Sequence, residues 1–308
     1  MAVSTLSGTI IGVGVFSLPY ITIKAGFGLM LFYLVLLTVL VTLVHLFFSE
    51  VALKTPDFLR LPGYAKIHLG NWGKKAAILV AVLGSIGALL AYIIIGGSFL
   101  ANLLMPFLGG SLLLYTILYF ILGAFFIFLG IRAISKIEFW GLLLFFLSLF
   151  IILWCGFPFF KINNLASKAI NGFSSFFLPY GPILFALWGA TMIPEVEEML
   201  GRDKKSIKRV VAVATIIPAL FYLLFILPVV LISGSGTSTE TIAGLAKSLG
   251  SRAMAIMFLL GFLATFTSFL AIGLTLKKVF LYHSFQQSLP VQLISFLLIL
   301  VEIRVFFL

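Results

Sequence analysis

The groups best placed to do chemistry in this chain are backbone groups, in two interrupted apolar stretches. The first runs Gly8-Thr9-Ile10-Ile11-Gly12-Val13-Gly14-Val15-Phe16-Ser17-Leu18-Pro19, and the second runs Leu187-Trp188-Gly189-Ala190-Thr191-Met192-Ile193-Pro194. Each sets a Gly five residues before a Pro. A Gly lowers helix propensity by roughly 1 kcal/mol relative to Ala, and a Pro removes a donor and clashes with the preceding turn. Unwinding at such points frees N–H groups at the start of the next half-helix, where partial positive charge suits a carboxylate. The carbonyls freed on the other side suit an amine or a cation. The candidate ligand contacts lie at these breaks, with Gly12 and Gly14 in the first and Trp188, Gly189, Ala190 and Thr191 in the second. Gly8-xxx-Gly12 alone also fits a close-packing motif between helices; three glycines, a proline and a matching second break favour unwinding.

Side chains add fewer candidates. Trp188 fits either a ring that closes over a ligand or plain packing. Glu195, Glu197 and Glu198 fit either a proton relay, the default for a carboxylate in a membrane, or solvated residues paired with Lys204 or Lys205. Glu50 sits beside Lys54 in the same way. In Ala264-Thr265-Phe266-Thr267-Ser268, the adjacent hydroxyls of Thr267 and Ser268 offer two hard oxygen ligands; the competing reading is hydrogen bonding back onto their own helix. His45, His68 and His283 are scattered without ligand spacing, so no metal site is expected. There is no Walker A motif, and no Ser–His–acid or paired-carboxylate arrangement, so neither ATP-driven work nor an enzyme is expected.

The elements that must position these groups lie in a bilayer. The 308 residues are 62% hydrophobic, 15% aromatic and 9% charged, with a mean hydropathy of +1.27. Soluble domains carry about 25% charged residues. A net charge of +11 would suggest nucleic acid in a soluble protein. Here it reads as basic cytoplasmic loops, and no nucleic-acid partner is expected. The single Cys155 excludes an intrachain disulfide, and the first segment lacks the basic start of a cleavable signal.

A helix needs roughly 20 apolar residues to cross. Nine spans are predicted, over residues 3–23, 28–53, 76–105, 111–131, 137–159, 174–200, 208–233, 251–276 and 290–308. An inside N-terminus places fourteen of the 20 Lys and Arg residues on the inner side, which favours that orientation in the cell (inner or plasma) membrane.

The two breaks are also related by position. Gly14 and Gly189 are 175 residues apart, as are Pro19 and Pro194. The same shift carries the second, third and fourth predicted spans onto or close to the seventh, eighth and ninth. Five spans per unit is odd, so the second unit runs inverted, as in secondary transporters whose broken helices build the binding site. Residues 1–159 form the first repeat and residues 174–308 an incomplete second one, within a single transmembrane domain. Tyr92 and Thr267 are also 175 apart, which makes Tyr92 the symmetry-related position and its phenol a candidate partner for a substrate carboxylate.

The string Gly8 to Tyr20 resembles the first-helix signature of the aromatic and hydrophobic amino-acid permeases, within the amino acid–polyamine–organocation superfamily. Leu61-Pro62-Gly63-Tyr64-Ala65, Ile193-Pro194-Glu195 with Met199-Leu200, and Thr267-Ser268-Phe269-Leu270 resemble the same group in the same order. The resemblance implies an all-α integral membrane protein with the leucine-transporter-type inverted repeat and broken helices 1 and 6. It implies that Val13 and Gly14 N–H groups bind a substrate carboxylate, and that carbonyls of Ile10 and the Gly189 region bind the amine. In sodium-coupled relatives, positions matching Gly8, Ile11, Ala264, Thr267 and Ser268 hold the ion. Family members have about eleven helices, so the chain reads as truncated at its C-terminus, and Tyr282-His283-Ser284 lacks the acidic residue expected there. The expectation is a permease that imports an amino acid, aromatic or otherwise hydrophobic, coupled first to a proton and second to sodium, with no other cofactor. The alternative is a non-transporting membrane protein of the same fold.

Overall fold

The computed structural model describes residues 1–55, 58–166, 176–201, 203–237 and 242–283, and among these the secondary structure is helical, with no strand. The helices are α1 (Ala2–Ile10), α2 (Leu18–Ala25), α3 (Phe27–Lys54), α4 (Leu61–Leu108), α5 (Leu112–Leu129), α6 (Ile131–Gly156), α7 (Tyr180–Leu187), α8 (Ile193–Leu200), α9 (Lys204–Ser233) and α10 (Ile242–His283). Six of them (α3, α4, α5, α6, α9 and α10) are long and apolar enough to cross a membrane, and the α1–α2 pair makes a seventh candidate, bent by 47°. The sixth predicted span appears as two short helices, α7 and α8. The ninth, 290–308, lies outside the described residues.

Both breaks form where glycine and proline place them, and by the same sequence of conformations. After α1, Gly12 is extended at φ −111°, ψ −166°, a 3-10 turn covers Val13–Phe16, and α2 starts with Pro19 in its first turn. After α7, Trp188 is extended at φ −75°, ψ 118°, a 3-10 turn covers Ala190–Met192, and α8 starts with Pro194 in its first turn. A proline in a first turn removes an N–H that would have no helical acceptor anyway.

One boundary differs from the sequence reading. Leu61-Pro62-Gly63-Tyr64-Ala65, expected as an inner loop, opens α4 instead. Pro62 sits in its first turn, and the helix continues through a kink at Gly70, whose φ of 71° and ψ of −163° suit a residue without a side chain.

The centre is built from α1, α9 and α10. Helix α10 packs on α1, α4, α5 and α6, and α9 on α1, α2 and α3. Phe221, Tyr222 and Phe225 of α9 and Leu260, Ala264, Phe269 and Leu270 of α10 are buried. Phe32, Val35 and Phe47 of α3, Phe125 and Phe128 of α5, and Phe150 and Trp154 of α6 are exposed. An apolar exterior over helices of this length is a lipid-facing surface.

Candidate functional site

At the first break, α10 presents hydroxyls to the end of α1. The Thr267 hydroxyl lies 3.2 Å from the Gly8 carbonyl oxygen, and Ser268 Oγ lies 3.1 Å from that of Thr9. Thr267 Oγ1 is also within reach of the Leu263 and Ala264 carbonyls of its own helix, at 3.0 and 3.4 Å. The ligand reading and the back-bonding reading therefore describe the same side chain. Gly8, Ala264, Thr267 and Ser268 are brought together, and Ile11 is buried beside them.

Gly12 makes room for two polar groups. A Cβ added there would sit 3.0 Å from Ser268 Oγ and 3.2 Å from the Tyr92 hydroxyl, so both groups face the backbone at Gly12. Tyr92 thus lies at the first break, beside Ser268. Among the described residues, neither the Val13 nor the Gly14 N–H reaches a backbone acceptor. Gly14 backs directly onto α7: an added Cβ would lie 3.1 Å from Ala186 Cβ.

The second break is tied differently. The Gly189 N–H donates to His45 Nε2 at 3.2 Å, and His45 Nδ1 lies 3.1 Å from Thr215 Oγ1, which itself donates to the Val211 carbonyl at 2.9 Å. An accepting Nε2 carries no proton, so this geometry assigns a neutral imidazole that donates through Nδ1. Trp188 is 47% exposed and sets its ring edge-on against His45, with centroids 5.9 Å apart. Ala190 is half-buried and Thr191 exposed, while the Thr191 carbonyl approaches the Thr275 hydroxyl at 3.5 Å. A Cβ at Gly189 would come within 2.5 Å of Ile10 Cγ1, so glycine lets the two breaks touch.

One residue joins them. The buried Tyr222 hydroxyl lies 2.7 Å from the Ile10 carbonyl oxygen and 2.8 Å from that of Ala186. The Ile10 carbonyl, assigned to a substrate amine by resemblance, is thus engaged by a phenol. A tyrosine in an apolar run carries no local signal for this role.

The carboxylates pair otherwise than expected. Glu195 and Glu198 bond not to Lys204 or Lys205 but to Arg60 and Lys278, because α8 points its acidic face at the start of α4 and at α10. Arg60 Nε and Nη2 reach Glu195 Oε1 and Oε2 at 2.9 and 2.7 Å, and Lys278 Nζ lies 2.5 Å from Glu195 Oε2 and 2.6 Å from Glu198 Oε2. Arg60 and Glu195 are 1% and 0% exposed. Such a buried pair is held by charge-assisted, two-pronged bonding. Tyr64 donates to Glu197 at 3.3 Å. Glu50 pairs with Lys208 of α9 at 2.5 Å rather than with Lys54. Among the described residues no group of three or more His, Cys, Asp or Glu could hold a metal.

Sequence reasoning passed over Glu138, on α6. It is fully buried and touches α1: its Oε1 lies 3.1 Å from the Thr9 hydroxyl. The available signal was a carboxylate just inside a predicted span, a functional position by default.

Lipid-facing helices around a polar interior assembled on broken spans define an integral membrane protein of the carrier type. The model of the tryptophan/tyrosine permease family matches residues 1–301, and the chain belongs to that family. It is a permease family, not a family of enzymes. The chain is also similar to the tyrosine-specific transport system 1 of Haemophilus influenzae, at 28% identity over 291 residues, which cover 89% of this chain and 70% of that relative.

Proposed function

We propose that the protein imports an aromatic amino acid, with tyrosine the leading substrate, by proton-coupled alternating access. The observation that carries this reading is the first break, with two unengaged N–H groups at Val13 and Gly14 beside the Tyr92 and Ser268 hydroxyls. Those donors suit a substrate carboxylate. The family and the named relative support an aromatic side chain.

In this reading the fold is the leucine-transporter-type inverted repeat, with the N-terminus cytoplasmic. The α1–α2 span, α3, α7–α8 and α9 rock against α4, α5 and α10. The Arg60–Glu195–Glu198–Lys278 cluster closes the inner face, and its separation opens the path inward. Breaking a buried pair leaves an uncompensated charge, so opening requires water to enter.

Sodium is the second reading, favoured by the convergence of Gly8, Ala264, Thr267 and Ser268. Counterflow of labelled tyrosine and tryptophan in proteoliposomes tests the function, with leucine as the comparison. Saturable counterflow of the aromatic amino acids is expected, and its absence overturns the reading in favour of a non-transporting protein. Accumulation driven by an inward proton gradient in choline buffer is expected. Accumulation that needs sodium, and loses that need in a Thr267→Val, Ser268→Ala double variant, would move the coupling to the ion site on α10.

A further inference from the structure

We infer that Glu138 carries the coupled proton, held as a neutral acid against the inner half of helix 1. The inference rests on the proton-coupled reading above and assigns a residue to it.

The hydrogens around Glu138 lead to this assignment. The Thr9 hydroxyl has one hydrogen to give. Its shorter contact is to the Thr5 carbonyl oxygen, at 2.8 Å, and its longer one, 3.1 Å, is to Glu138 Oε1. If Thr9 donates to Thr5, the second contact needs a hydrogen on the carboxyl group, with Glu138 donating to Thr9. The remaining Glu138 oxygen, Oε2, and the hydroxyl of Thr5 are both buried and close enough to interact, yet neither makes a hydrogen bond of good geometry. A carboxylate would leave a full charge on that unsolvated oxygen, a state that buried groups avoid by taking up a proton.

Among the described residues nothing nearby supplies a countercharge. Of the elements packed against α6, α1 carries only the amino terminus at the exposed Met1. Helix α5 carries Tyr115 and Tyr119. On α10, Lys277 is directed at the Ile127 and Phe128 carbonyls and Lys278 at Glu195 and Glu198. On α9, Tyr222 faces Ile10 and Ala186, Lys208 is paired with Glu50, and Lys204, Lys205 and Arg209 lie in its first two turns. On α6 itself, Arg132 and Lys136 are exposed. Among the described residues none of these forms an ion pair with Glu138.

The position also gives the proton a mechanical consequence. A Cβ at Gly8 would lie 3.2 Å from Glu138 Cβ, and one at Gly141, a turn further along α6, would lie 3.1 Å from Thr267 Cγ2. Glu138 therefore sits in the seam where α1, α6 and α10 meet, beside the residues that hold the first break. Seven residues into α6, it is roughly 10 Å from that helix's start. In the neutral form the seam closes. Movement of α1 away from α6 lets water reach the carboxyl group, which releases its proton to the inner side and becomes a carboxylate. Return to the outward-facing state requires a proton from outside, so one proton crosses in each cycle.

Two measurements test this on the purified protein. Infrared difference spectroscopy at neutral pH is expected to show the carbonyl stretch of a protonated carboxylic acid in the wild type, lost in Glu138→Gln. A wild-type spectrum without that band overturns the inference, and needs no variant to fold. In proteoliposomes Glu138→Gln, which keeps the shape but cannot release a proton, is expected to retain tyrosine counterflow and to lose accumulation driven by an inward proton gradient. Gradient-driven accumulation that survives in Glu138→Gln overturns the inference alone. A wild type with no counterflow overturns the transport reading beneath it. A band removed by adding sodium assigns the site to that ion instead and overturns the proton role.

Discussion

The two broken spans share a backbone plan and differ in what holds them. Each passes from an extended residue through a 3-10 turn into a helix with proline in its first turn. The first is held by uncharged hydroxyls, those of Thr267 and Ser268 on its carbonyls, with Glu138 against its flank. The second is moored by His45 at the break and by a charged cluster one turn later, at Glu195 and Glu198. The two breaks thus differ in use: one leaves donors open, and the other spends its polar groups on attachment. Neutral contacts break cheaply, at about 0.5–1.5 kcal/mol each, whereas removing one member of a buried ion pair costs about 3–5 kcal/mol.

That contrast can be broken at several points. Gly14→Val should abolish tyrosine binding and leave membrane insertion intact, because the added atoms meet Ala186 of α7 and displace the break that carries the open donors; a thermal shift with tyrosine reads it, and a wild-type shift would remove the first break from the binding role. Arg60→Ala should lower stability by about 3 kcal/mol, the low end for a broken buried ion pair because Glu195 loses its two-pronged partner and keeps Lys278, seen as a lower melting temperature. A loss no larger than for an exposed arginine would put the two breaks on an equal footing. Trp188→Ala should do least. The ring is half exposed and rests on His45, and an exposed substitution shifts free energy by about 0.5 kcal/mol or less, roughly a twofold change in tyrosine affinity. A tenfold loss would make Trp188 a wall of the substrate site and bring the second break back into binding.

The breaks themselves were legible because glycine and proline act locally, through φ and a missing N–H, and need no tertiary information. Thr267 and Ser268 were legible as a pair because adjacent hydroxyls in an apolar helix are uncommon. What fills the space between helices was not. The partners of Glu195 come from the start of α4 and the end of α10, at separations no local pattern encodes, whereas Lys204 and Lys205 were merely near in sequence. His45 looked isolated because its partners, Gly189 and Thr215, lie on two other elements. Glu138 was legible in principle, as a carboxylate inside a predicted span, but nothing in its local sequence points to Thr9, its partner on α1. The start of α4 was read as loop because Pro62 and Gly63 suggest a turn, although a proline in a first turn is compatible with a helix.

Tyr222 owns a single hydroxyl hydrogen, yet two carbonyl oxygens stand within 2.8 Å of it, one from each broken span. At any instant one is served and the other waits. The ring therefore joins both spans at the same point of α9, and whichever carbonyl holds the hydrogen, the other stands within reach of it.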